Sequence, residues 1–318
     1  MNSHLPLRRG VGLALLLLVA VVFGANHVAA RLAFDHGLSV PTAIAIRSAG
    51  TALAVLALLL ALGVRIALPG ITLRRAIAIG AILSVQSYCL YSSVARIPAA
   101  LALLVFNVHP MLLTLLSWGI GGTRPSGRSL VVMPIALIGL ALALDVAGVA
   151  GAAEAAGAEA AGAAVGVTGA GGAGRWAGIG TGVAYAFAAA IAFATAMLLS
   201  ARWLTGVDGR LRSCLTMATV AVVAVVAGTA TNTLALPVDR DAWIGLALLT
   251  LFYGTAITSL FMLLPRLKSP SDIAALNFEP IAVLLGAWIL LGQTLAPSQI
   301  AGALIVVGSI VILGTGKR

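Results

Sequence analysis

The chain has 318 residues, of which 61% are apolar and 9% charged. A soluble domain carries about 25% charged residues, so 19 basic and 9 acidic side chains cannot clothe a soluble surface of this size. That excludes a disordered chain, a disulfide scaffold and a cytosolic enzyme, and leaves a polytopic membrane protein. The net charge of +10 does not point to nucleic acid, because the basic residues sit in short gaps between apolar runs.

A helix needs about 20 mostly apolar residues to cross a bilayer. The apolar runs here are continuous rather than alternating, which excludes barrel strands and predicts an all-α protein with ten transmembrane helices. Span one, 10–30, follows Arg8 and Arg9 and reaches Val28-Ala29-Ala30, the layout of a secretory signal. It is read as a span, because cleavage would break the symmetry set out below. Its outer part carries Asn26 and His27. Span two, 41–63, holds Arg47 near its outer end. An arginine cannot discharge, so it must be paired or wet. It is read as a carboxylate-binding group, or as a structural partner of Asp35 or Asp145, or as snorkelling outward.

Span three, 73–95, carries Gln86, Ser87, Tyr88 and Tyr91, with Tyr88 and Tyr91 expected to share a face. Span four, 98–119, carries Asn107, His109 and Pro110, and span five is 128–147. A Gly/Ala-rich stretch, 148–175, reads as a flexible linker. It contains Gly169-Ala-Gly171-Gly-Ala-Gly174, but no strand precedes this pattern, so it is not read as a dinucleotide site. Spans six to ten are 176–201, 211–233, 242–264, 271–291 and 297–314. Tyr253, Thr255, Thr258 and Ser259 lie in span eight, and Asn277, Glu279 and Pro280 in span nine. Cys89 and Cys214 lie inside apolar runs, so neither a disulfide nor a metal site is expected.

Ionisable groups at mid-membrane are costly and persist where they line a path or serve a site. Glu279 precedes Pro280, and a proline leaves the carbonyl one turn earlier unpaired and kinks the helix. Glu279 is the expected proton-coupling group. His109, followed by Pro110, is its counterpart in span four and is expected near it at the midplane. Asn107 and Asn277 serve either as interhelical hydrogen-bonding groups or as polar contacts for a substrate. The tyrosines and hydroxyls of spans three and eight, Tyr88 and Tyr253 among them, are read as a cavity floor.

The halves repeat at a nearly constant offset of 170: Arg96 with Arg266, Asn107 with Asn277, Pro110 with Pro280, Trp118 with Trp288. Phe23 matches Phe193, and Arg31 matches Arg202 one residue out of step. Each half, 1–147 and 176–318, has five spans, so the second enters the membrane from the opposite side. Such inverted repeats mark secondary transporters. With the N-terminus cytoplasmic, fourteen basic residues fall inside against four outside, which predicts both termini inside.

With Phe23-Gly24-Ala25-Asn26 in span one, Arg47 in span two and the Pro110 and Pro280 spans, the chain resembles the EamA-type transporters of the drug/metabolite transporter superfamily. The resemblance implies a bacterial inner-membrane carrier that exports amino acids or related small metabolites. The long 148–175 linker departs from the family pattern. A multidrug or weak-base exporter is the alternative; a channel or membrane scaffold ranks below it. No catalytic constellation or Walker A pattern is present, so neither an enzyme nor an ATP-driven pump is expected, and no cofactor. The expected partners are a small-molecule substrate and the bilayer, with a homodimer left open. Alternating access around a cavity lined by spans one, three, four, six, eight and nine is the expected mechanism.

Overall fold

The computed structural model describes residues 9–64, 66, 68–94, 99–122, 124–143, 173–267, 270–282 and 296–315. The described residues form α1 (Arg9–Asp35), α2 (Val40–Ala61), α3 (Gly70–Val94), α4 (Ala99–Phe106), α5 (His109–Gly119), α6 (Gly127–Ala143), α7 (Ala173–Trp203), α8 (Gly209–Ala230), α9 (Arg240–Leu263) and α10 (Pro297–Thr315). Two 3-10 segments, Leu264–Arg266 and Pro270–Phe278, follow α9, and a helix continues from the second over 279–282. Six of these helices, and α4 with α5 taken as one span, are long and apolar enough to cross a membrane. With the shorter apolar helices α6 and α10 and the partly described ninth span, the set matches the ten expected spans. The linker expected at 148–175 and Trp288 lie outside the described residues, apart from the backbone of the first turn of α7.

Local chemistry sets the helix ends. Ser39 caps α2 by accepting from the Thr42 N–H, with Pro41 in the first turn, and Asp208 caps α8 by accepting from the Arg210 N–H at 2.8 Å. Gly37 after α1 and Gly206 after α7 both adopt a left-handed backbone, φ 84° and 81°. That conformation favours glycine. The two helices are counterparts in the repeat, so their turns match as well.

The surface is inverted relative to a water-soluble fold. Leu53, Val131, Val222 and Leu304 are each more than 60% exposed, which suits hydrocarbon and would be a liability in water. Packing follows the repeat. The helix α1 packs on α9, and its counterpart α7 packs on α3. The counterparts α2 and α8 pack on each other, as do α6 and α10. A pseudo-twofold relating the halves requires this exchange of neighbours.

The fourth span is interrupted at its proline, as the sequence leads one to expect, and runs as α4 and α5. Pro110 has no N–H to offer the Phe106 carbonyl. The helix therefore opens into a turn at Asn107 and Val108 and restarts at His109. The ninth span changes at the same register, from a 3-10 helix ending at Phe278 to an α-helix from Glu279, next to Pro280. A nine-residue 3-10 run is long for that geometry and marks a hinge.

Candidate functional site: a buried chamber at the two helix breaks

Arg47 lies on α2 with 3% exposure. Its Nη1 donates to the Tyr91 hydroxyl at 2.6 Å and its Nη2 to the Ser87 hydroxyl at 3.0 Å. Ser87 and Tyr91 are one turn apart on α3, so one helix face presents both oxygens. The guanidinium carbon sits 3.8 Å from the Tyr253 ring centroid and 5.1 Å from that of Tyr91. Arg47 therefore does not snorkel, and its observed partners are hydroxyls and rings. The side chains of Asp35 and Asp145 lie outside the described residues. Among the described residues Arg47 Nε has no partner.

His109 begins α5 and is 2% exposed. Its Nδ1 lies 3.1 Å from the Phe106 carbonyl oxygen, the acceptor that Pro110 leaves unserved. Donation through Nδ1 assigns the tautomer and leaves Nε2 as an acceptor. That Nε2 is buried and has no described partner. The rings of Phe106 and Phe193 stand 4.9 Å from the imidazole, one tilted and one edge-on, and hold it in place.

Asn26 on α1 is 2% exposed, and its Oδ1 has no described partner. Glu279, at the restart of the ninth span, is buried and lines the same chamber as Arg47, His109 and Asn26. Phe23, Phe106 and Phe193 form the apolar wall, and Leu276, whose carbonyl lies one turn before Pro280, also faces in. The chamber volume is about 50 Å³. At roughly 10–15 Å³ of such volume per water, that is room for a few waters and less than an amino acid needs.

The chamber draws on spans one, three, four, six, eight and nine as expected, and on span two through Arg47. Gln86 and Tyr253 line it. Tyr88 does not: it is 54% exposed, so the face expected to be shared with the buried Tyr91 is not shared. Asn107 and Asn277 are buried at the two breaks but do not line the chamber. Asn107 Nδ2 donates to the Leu103 carbonyl at 2.7 Å, and Asn277 Oδ1 has no described partner. His27 lies on α1, with its side chain outside the described residues.

Side-chain contacts tie the elements at both ends of the helix bundle. At one, His36 Nε2 lies 3.7 Å from carboxylate oxygens of both Asp239 and Asp241. There Ser39 Oγ donates to the Thr233 carbonyl at 2.9 Å, and the Ala235 N–H to Thr42 Oγ1 at 3.1 Å. His36, Asp239 and Asp241 are the one group among the described residues with metal-ligand spacing. They sit at the surface, where acidic groups are common without a metal. At the other end, Arg202 Nη2 donates to the Ile120 carbonyl at 3.0 Å, and Arg75 lies 5.9 Å from the Trp203 ring centroid.

The model of the EamA-like transporter family matches residues 10–144 and 180–315. A solved crystal structure of a protein superposes with a TM-score of 0.73 at 16% identity, over 95% of this chain and 96% of that one. At that identity the likeness concerns the fold alone. No curated protein matches the chain.

Proposed function

The chain belongs to the EamA-like transporter family, and from that premise we propose that it exports amino acids or related small metabolites by alternating access, with proton coupling through Glu279. It is a multi-pass membrane protein of the drug/metabolite transporter type. One observation supports the finer reading: a buried chamber at two helix breaks gathers a fixed cation, Arg47, a carboxylate, Glu279, and two acceptors without described partners, Asn26 Oδ1 and His109 Nε2. A zwitterion fits this set once the chamber widens. Its carboxylate would replace a hydroxyl at Arg47, and its ammonium would reach Asn26, His109 and Glu279. The chamber spans both halves, as an alternating-access site must.

The proposal places the protein in a bacterial inner membrane with both termini cytoplasmic, the orientation that the basic residues favour. Transport, not catalysis, is its proposed activity. A weak-base exporter is the second reading. It draws on the tyrosine and phenylalanine lining and on the acceptors, which would take a cationic amphiphile.

Counterflow of labelled solutes into proteoliposomes tests both, with an amino-acid panel and a cationic-amphiphile panel at two pH values. Saturable counterflow of amino acids is expected. Saturable counterflow of cations alone would replace the first reading with the second. No counterflow by protein shown to be folded would remove both.

A further inference from the structure

Arg212, one turn into α8, is 1% exposed, more deeply buried than Arg47, and it does not line the chamber. Its Nη2 donates to the Leu204 carbonyl at 2.7 Å and more weakly to that of Val207 at 3.5 Å, and its Nη1 to Ser200 Oγ at 3.3 Å. Nε has no described partner. Asp208, four residues earlier, pairs with Arg210 at 2.8 Å and also acts electrostatically on Arg212. The acceptors of Nη1 and Nη2 belong to the last turn of α7 or to the bend after it. Oxygens at a helix C-terminus carry partial negative charge and need donors.

The position has a counterpart. Arg47-Ser48-x-x-Thr51, followed by Val55 and Gly63, recurs at an offset of 165 as Arg212-Ser213-x-x-Thr216, Val220 and Gly228. Each threonine hydroxyl donates to the carbonyl of its arginine, at 2.7 Å for Thr51 and 2.9 Å for Thr216. The two helices pack on one another. Arg212 thus holds in the second half the place of Arg47 in the first. Arg47 finds Ser87 and Tyr91. Their counterparts at the offset of 170 are Ile257 and Phe261, which offer no side-chain acceptor. Deprived of partners on the chamber side, Arg212 turns to the end of α7.

That end is also where Arg202 and Arg75 tie α7 to α5 and α3. Phe193, which walls the chamber, is ten residues back along the same helix, about 15 Å. The end of α7 packs on α3 and α5, and α8 packs on α2, α3 and α9, so among the described residues the Arg212 bonds are the side-chain tie between α7 and α8 at this end.

We infer that Arg212 is a positioning residue of the transport cycle, a latch that holds the α7–α8 end of the pathway closed by gripping the last turn of α7. This rests on the transport reading, but its test does not need a substrate. A reporter, Ile257→Cys, is placed on the chamber wall in a Cys89→Ala, Cys214→Ala background. Its labelling by a membrane-impermeant maleimide is followed from each side of sealed vesicles. A Thr205→Cys control, at an exposed position of the α7–α8 turn, identifies the side that carries it.

Arg212→Met is expected to raise the labelling rate from that side at least tenfold and Arg212→Lys to raise it less, with labelling from the opposite side unchanged in both. Ser200→Ala, a milder change that spares the buried charge, is expected to raise it two- to threefold and carries the test if Arg212→Met does not fold. Unchanged labelling in folded Arg212→Met, or in Ser200→Ala if that variant alone folds, would overturn the latch and leave Arg212 a structural anchor. A shift in labelling with no counterflow by the parent would keep the latch and sink the transport reading instead.

Discussion

The guanidinium of Arg47 lies 3.8 Å above the Tyr253 ring centroid, so a cation from α2 in the first half stacks on an aromatic from α9 in the second. This contact spans the two halves and lies in the chamber wall. A desolvated cation–π contact is worth about 2 kcal/mol, or roughly thirtyfold in an equilibrium constant. Tyr253→Leu should lower stability by up to that amount and lower counterflow by releasing Arg47 from its place, while Tyr253→Phe should stay near the parent. Arg47→Lys keeps the charge but loses the planar stack and the paired donation to Ser87 and Tyr91. It should lose at least tenfold in counterflow. Concentration dependence of counterflow in the three variants checks this, and Lys at parental rates would remove the geometric role of Arg47.

Glu279 is the acidic side chain lining the described chamber. Glu279→Gln keeps the shape of the side chain but cannot release a proton. The variant should retain solute exchange at equal pH on both sides and lose uptake driven by a pH difference. The two assays on one preparation separate coupling from binding. A Glu279→Gln protein that still responds to the pH difference would end the coupling role.

Much of this arrangement is legible in the sequence because apolar run length and proline position act locally. The spans, both breaks and the placing of Arg47, His109, Tyr253 and Glu279 follow from such signals. Side-chain direction does not. Tyr88 and Tyr91 are three residues apart and equally aromatic, yet only contact with Arg47 and Phe34 draws Tyr91 inward, and Tyr88 is left outside. Asn107 and Asn277 mark the breaks in the sequence, but the turn of the chain aims them away from the chamber. Arg212 reads as a cytoplasmic loop charge from its place at the edge of an apolar run. The Arg-Ser-x-x-Thr repeat at an offset of 165 was the available signal. A search on the offset of 170 alone passes over it, because the first half has a longer connection before its second span.

The imidazole of His109 has two separable tasks. Its Nδ1 serves the Phe106 carbonyl at the break, and its Nε2 faces the chamber side without a described partner. Asn reproduces the first and not the second. His109→Asn should keep thermal stability in detergent near that of the parent and lose transport. His109→Leu leaves a buried carbonyl unserved, which costs about 1–3 kcal/mol, and should lower the melting temperature as well. Equal melting temperatures for the two variants would refute the break-capping role.

Close helix contact replaces the hydrophobic effect as the source of stability inside a bilayer, and α6 against α10 shows where it is tightest. A methyl group added at Gly302 would meet the backbone of Ala143 and the carbonyl of Gly139, neither of which can yield without moving a helix. Overpacking of this kind costs about 1–3 kcal/mol. Gly308, two turns along the same helix, has nothing within 4 Å of such a methyl. There alanine gains helix propensity, by up to about 1 kcal/mol. Gly302→Ala should lower the detergent melting temperature, and Gly308→Ala should hold or raise it. The same sign of shift in both would mean that backbone entropy, not the α6–α10 contact, governs this helix.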